Sequence, residues 1–97
     1  MSNLDPEVAR RTIALLKIYT ENDEIMWRVI IGNAFSCQFG NDLIFVDWRQ
    51  DGRLSLSIND DWIEEAFGEP NPEQVYGIHA LILAIHDQQE RYKQSGR

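Results

Sequence analysis

The 97-residue chain is 43% hydrophobic and 26% charged, with a formal net charge of −7, a mixture that fits one globular domain (residues 1–97) and argues against intrinsic disorder. The charge is polarised: residues 54–90 hold eight carboxylates and no lysine or arginine, whereas residues 1–20 sum to +1, 21–53 to −3 and 91–97 to +3. An acidic balance opposes direct binding to phosphate backbones or anionic lipid, and no apolar run approaches the ~20 residues that cross a bilayer.

No basic then apolar leader is visible at the N-terminus, and the lone Cys37 has no internal partner for a disulfide. Both observations point to a cytoplasmic protein in a reducing compartment.

The first predicted element is a helix. Asp5 is an N-cap, Pro6 fits the first helical position, and Glu7 suits the positive end of the dipole. Val8, Thr12, Leu15, Leu16 and Tyr19 recur at helical spacing as its buried stripe, Arg10 and Lys17 fall on a solvated face, and the helix ends near Thr20. Residues 25–34 carry both signals: Trp27, Ile30, Ile31 and Ala34 have helical spacing, but Val29-Ile30-Ile31 is β-branched and Gly32-Asn33 can turn a hairpin, which tips the reading to strand. Beyond it Phe35, Cys37 and Phe39 alternate with polar residues, Leu43 to Trp48 is an apolar run, and Leu54, Leu56 and Ile58 alternate with serines. With turns at Gly40-Asn41-Asp42 and Gln50-Asp51-Gly52, this predicts an antiparallel meander of three or four strands, wet on its serine face.

Asn59 or Asp60 is then expected to cap a short acidic helix that stops at Gly68 and Pro70. Asn71-Pro72-Glu73-Gln74 reads as a capping box opening a long C-terminal helix that runs to about Tyr92. Residues 1–4 and 93–97 are expected to fray. The predicted class is α+β: an N-terminal helix, the meander, a short acidic helix and a long C-terminal helix, with the helices gathered on one face of the sheet.

On a helix, Asp60 and Glu64 are four apart, as are Asp61 and Glu65, so four carboxylates crowd one another beside Trp62 and Glu69 without a cation at helical spacing. A solvated acidic face is one reading. The other is a partner-binding surface made of Asp60, Asp61, Trp62, Glu64, Glu65 and Glu69, with Trp62 or Phe67 as apolar anchor, docking on a basic protein surface. Asp-Asp-x-x-Glu-Glu lacks the ligand order and glycine of a calcium loop, so no metal or other cofactor is expected.

On the last helix Val75, Ile78, Ile82 and Ile85 form one stripe, with Gly77, Ala80 and Ala84 roughly opposite. A helix apolar on two sides is buried on two sides, so the second cover is either the N-terminal helix or a second copy of the chain. His79 and His86 stand about 10 Å apart along the helix, too far for one metal ion. Cys37 reads as a small core residue, and no catalytic motif is present, which disfavours an enzyme. Trp27-Arg28 and Trp48-Arg49 read as core tryptophans beside solvated arginines, since strand neighbours point to opposite faces.

The expected function is therefore a small acidic adaptor or inhibitor that binds a basic partner surface, one that in the partner grips nucleic acid, in the manner of a nucleic-acid mimic. Two alternatives come from other classes. One is a small-ligand or catalytic domain with a pocket between sheet and last helix near His79, His86 and Cys37; the other is a structural subunit of a homo-oligomer joined through Gly77, Ala80 and Ala84.

Overall fold

Alternating residues from Arg28 onward build an antiparallel sheet whose strands follow chain order: β1 (Arg28–Ile31), β2 (Ala34–Phe39), β3 (Asp42–Trp48), β4 (Arg53–Ile58) and β5 (Asp61–Ala66). Helix α1 (Pro6–Glu21) precedes the sheet, and a 3-10 turn (Pro72–Gln74) and helix α2 (Ile78–Gln94) follow it. The computed structural model describes residues 4–94. The α+β class and the two long helices agree with the sequence, and residues 28–31 are strand. The meander has five strands rather than three or four, because the expected acidic helix is β5.

The reason lies in how β5 distributes its side chains. Its register with β4 pairs Ile58 with Asp61, Leu56 with Ile63 and Leu54 with Glu65, so two carboxylates occupy helix-facing positions while Trp62 points the other way. That pattern erases the usual alternation. Pairing is imposed instead by the turn Asn59-Asp60, where Asn59 takes a left-handed φ of 56°. The Asn59 side chain accepts from the Leu43 N–H at 3.0 Å and donates to Asp42 at 2.9 Å, which ties this turn to β3.

Both helices cover one face of the sheet. They run side by side in the same direction: Arg10 meets residues 73–75 and Thr20 meets Gln88 and Arg91. Asp5 caps α1, accepting from the N–H groups of Glu7 and Val8. Its buried stripe is Ala9, Ile13, Leu16 and Thr20, rotated from the expected one, so Val8 and Leu15 are exposed. Small Ala9 and hydrogen-bonded Thr20 take fully buried positions where bulkier residues were expected. Arg10 is not simply solvated either: it donates to the Glu73 carbonyl at 2.6 Å and lies over the Tyr76 ring at 5.0 Å.

The long helix starts later than its capping signature suggests. Asn71 caps only the 3-10 turn, accepting from Glu73 N–H at 3.0 Å, and the chain breaks at residues 75–77 before α2 begins. Gly77 has a φ of +98°, and a Cβ there would sit 3.1 Å from Ile13 Cγ2. Ala84 is buried and Ala80 half-buried, so the small-residue face expected as an oligomer interface is largely spent inside the molecule, with Gly77 set against α1. Of the ends expected to fray, Leu4 instead donates its N–H to the Trp62 carbonyl at 2.9 Å, Lys93 is helical, and residues 1–3 and 95–97 lie outside the described residues.

One core cluster joins Ile13 and Leu16 to Phe35, Ile44, Val46, Leu54, Leu56, Ile78, Leu81, Ile82 and Ile85. At its edge a polar clasp joins three segments. Fully buried Gln88 donates to the Ile25 carbonyl at 2.7 Å and accepts from Trp27 N–H at 3.3 Å, while Trp27 Nε1 donates to Thr20 Oγ1 at 2.8 Å. Outside it Arg91 donates to Asp23 at 2.6 Å, and this bond holds the Asp23 carboxyl below its ordinary range. Replacing Gln88 by leucine keeps the volume but strands the Ile25 carbonyl and the Trp27 N–H. Q88L is expected to lower stability by about 2–4 kcal/mol in urea denaturation followed by tryptophan fluorescence.

Candidate functional site

Because facing residues of antiparallel neighbours share a side, the register fixes what lies on the helix-free face of the sheet. One row crosses all five strands: Arg28, Ser36, Phe45, Ser57 and Trp62. A second holds Ala34, Asp47, Ser55 and Glu64, and a third Gln38 and Leu43. Phe45 and Trp62 thus flank β4 at two strand spacings, about 10 Å. Small serines leave the floor between them low, and the result is an open groove of about 280 Å³ lined by Phe45, Ser55, Ser57, Trp62, Arg49 and Glu64.

The aromatic walls keep 37% and 39% of their surface exposed, although each is large enough to fill a core position. On the far side of Phe45 the face continues into a second hollow of about 240 Å³, bordered by Met26, Arg28, Ser36, Gln38 and Leu43. The helix-free side therefore combines exposed apolar side chains with hydroxyl groups and a few charges. At one end of the groove Glu64 pairs with Arg49 at 3.1 Å and Arg53 at 3.8 Å, so its charge is compensated. At the opposite end of the strands, Asp60 and Asp61 form no ion pair among the described residues.

The six residues expected to form one acidic surface are dispersed by β5. Trp62 and Glu64 belong to the open face, Asp60 to the turn, and Asp61 and Glu65 to the opposite side of the strand. Glu65 is only 6% exposed, and its Oε1 accepts from the N–H groups of Tyr76 at 2.8 Å, Gly77 at 3.2 Å and Ile78 at 3.3 Å. It closes the N-terminus of α2 and is not available to a partner. Glu69 accepts from the Asn71 N–H at 3.1 Å beside the 3-10 turn.

The pocket expected around His79, His86 and Cys37 is divided by packing. His86 stands edge-on to Phe35 at 5.4 Å, and His79 edge-on to both Trp48 at 5.3 Å and Phe67 at 4.9 Å. His79 also borders a cleft of about 250 Å³ with Glu65, Glu69 and Gly77, but both carboxylates there hold backbone N–H groups of the 71–78 segment. Among the described residues no group of three His, Cys, Asp or Glu side chains is placed to hold a metal ion. Burial raises the Cys37 thiol to about 12, which removes its thiolate at neutral pH.

Sequence reasoning singled out Trp62 and Glu64 but missed Phe45, Ser55, Ser57 and Arg49 as their neighbours. The serine alternation was the available signal; only the register sets Ser57 between the two aromatic rings.

Two outcomes check these assignments. E65A removes the acceptor of three N–H groups and is expected to destabilise by about 2–4 kcal/mol, with E65Q losing less because an acceptor oxygen remains. Native Cys37 is expected to alkylate at pH 8 at least ~100-fold more slowly than in denaturant, where its pKa returns to the ordinary thiol range.

No family model matches this chain, and no curated protein or solved structure is found to be similar to it.

Proposed function

We propose that this protein is a small adaptor or inhibitor that acts by binding another protein through the helix-free face of its sheet. The observation that carries this reading is the groove between Phe45 and Trp62: two large aromatic rings held exposed on a rigid sheet, over a floor of serines. Aromatic anchors beside a pocket, rimmed by polar groups, are the ordinary makings of a binding hot spot. The helix side of the sheet has its own cover, so the open face is free for an intermolecular role.

The partner suited to this face brings an apolar side chain for the groove and a basic residue for Asp60 in the turn at its end, while Asp61, on the helix side of β5, adds only long-range attraction. Charge enters at the rim rather than through the six-residue acidic cluster, since Glu64 is neutralised by Arg49 and Arg53 and Glu65 is buried. A basic surface that otherwise grips nucleic acid meets this description, and occupying it would make the protein a steric inhibitor. Association is then accelerated by Asp60 and Asp61 and slowed by salt, while the aromatic anchors set the lifetime of the complex.

Affinity capture from cells of the source organism, at low and at ~0.5 M salt, tests the reading beside W62A, F45A and D60N/D61N. Each aromatic truncation is expected to weaken a specifically captured protein by ~10-fold or more with little change in thermal stability. The D60N/D61N protein is expected to bind more slowly and with less salt dependence. A partner held equally by all forms overturns the proposal.

A further inference from the structure

The two edges of the sheet are finished differently. Along β5 the Leu4 N–H reaches the Trp62 carbonyl, and Glu65 turns back to residues 76–78. Along β1 only the entry is tied down, where Gln88 accepts from the Trp27 N–H and Gln89 donates to the Trp27 carbonyl; the four strand residues are exposed, Ile31 at 76%, and among the described residues none of them bonds to an element beyond β2. Natural edges are guarded by short strand length, charged side chains, proline, inward charges, bulges or a covering segment. Here the four-residue length of β1, the charge of Arg28 and the register shift between Val29 and Ile31 are such devices, and they still leave Val29, Ile30 and Ile31 uncovered.

We infer that β1 is a self-association edge, on which a second copy of this chain adds its own β1 antiparallel about a two-fold axis. The inference is independent of the function proposed above. Antiparallel pairing centred between Val29 and Ile30 sets Val29 opposite Ile30 of the partner subunit and Arg28 opposite Ile31 of the partner subunit. The two guanidinium groups then lie at opposite ends of the contact. Beside the strand, a groove of about 580 Å³ between Val29 and the end of α2 carries exposed Tyr92 and one charge of each sign, Glu90 and Lys93. Neither charge has an ion pair among the described residues. A two-fold axis presents the same patch to itself, so a patch with one carboxylate and one ammonium is self-complementary, which an arbitrary partner strand need not be. Four residues of strand and a helix end make a small interface, so the dimer is expected to be weak and concentration-dependent.

Sedimentation equilibrium of the full chain over roughly 1–500 µM tests this, because mass action makes a weak dimer visible across such a range. The expected result is a mass rising from one chain towards two, abolished in I30K/I31K, whose exposed lysines imitate a natural edge guard without touching the core. Hydrogen exchange provides the second measurement: amide protection at residues 28–31 should rise with concentration in the wild type alone. A monomer throughout the range, a dimer that survives I30K/I31K, or exchange at β1 indifferent to concentration overturns the inference.

Discussion

The carboxylate of Glu65 sits where three demands meet. As a β5 residue it faces the helix side of the sheet beside Leu54; as an acceptor it takes three consecutive N–H groups; and those groups open α2. A buried helix start without acceptors would leave orphan donors, and a buried carboxylate without donors would be costly to desolvate. Each cancels the other's cost. The position of α2 over the sheet, its late start at Ile78 and the break at Gly77 all follow from bringing this helix end to β5.

At the far end of the helical layer, Gln88 performs the corresponding task with a neutral amide. It reads the backbone of the α1–β1 connection at Ile25 and Trp27, while Trp27 reaches across to Thr20. Between these polar anchors the interior is apolar and depends on shape, with Gly77 allowing α1 to approach through Ile13. Directional bonds therefore set where the two helices begin and end, and apolar packing supplies the bulk of the stabilisation between them. Among the described residues nothing of this kind is built on the other face of the sheet, where Phe45 and Trp62 stay more than a third exposed.

Much of this architecture is legible in the residues. Asp5-Pro6 announces α1, and the alternations around Phe35, Cys37, Leu54 and Leu56 announce β2 and β4, because one side of each strand is core and the other is wet. β5 is not legible, for a physical reason: inward Glu65 answers to tertiary partners, and outward Trp62 answers to none within the core, so composition and burial are decoupled there. Asn71-Pro72-Glu73 gives a true cap, but local chemistry is silent on whether a cap starts one turn or five, and Glu65 lies outside any local window. The groove is hidden for a related reason, since Phe45, Ser57 and Trp62 are brought together only by pairing across three strands.

Successive strands are joined by turns of two to four residues, and each strand pairs only with its neighbour in the chain. Closing such hairpins costs little loop entropy, whereas α1 must wait for α2, more than fifty residues later, before its buried stripe is complete. During synthesis the sheet can therefore assemble while half of its apolar side still lacks a cover. The residues of α2, made after the whole sheet, are those that seal the core, so a chain stalled or cut before Ile78 leaves Ile44, Val46, Leu54 and Leu56 without the helix that shields them. Quality control by chaperones and proteases has its longest opportunity in that interval, and variation in α2 will register in cellular abundance before it registers in binding.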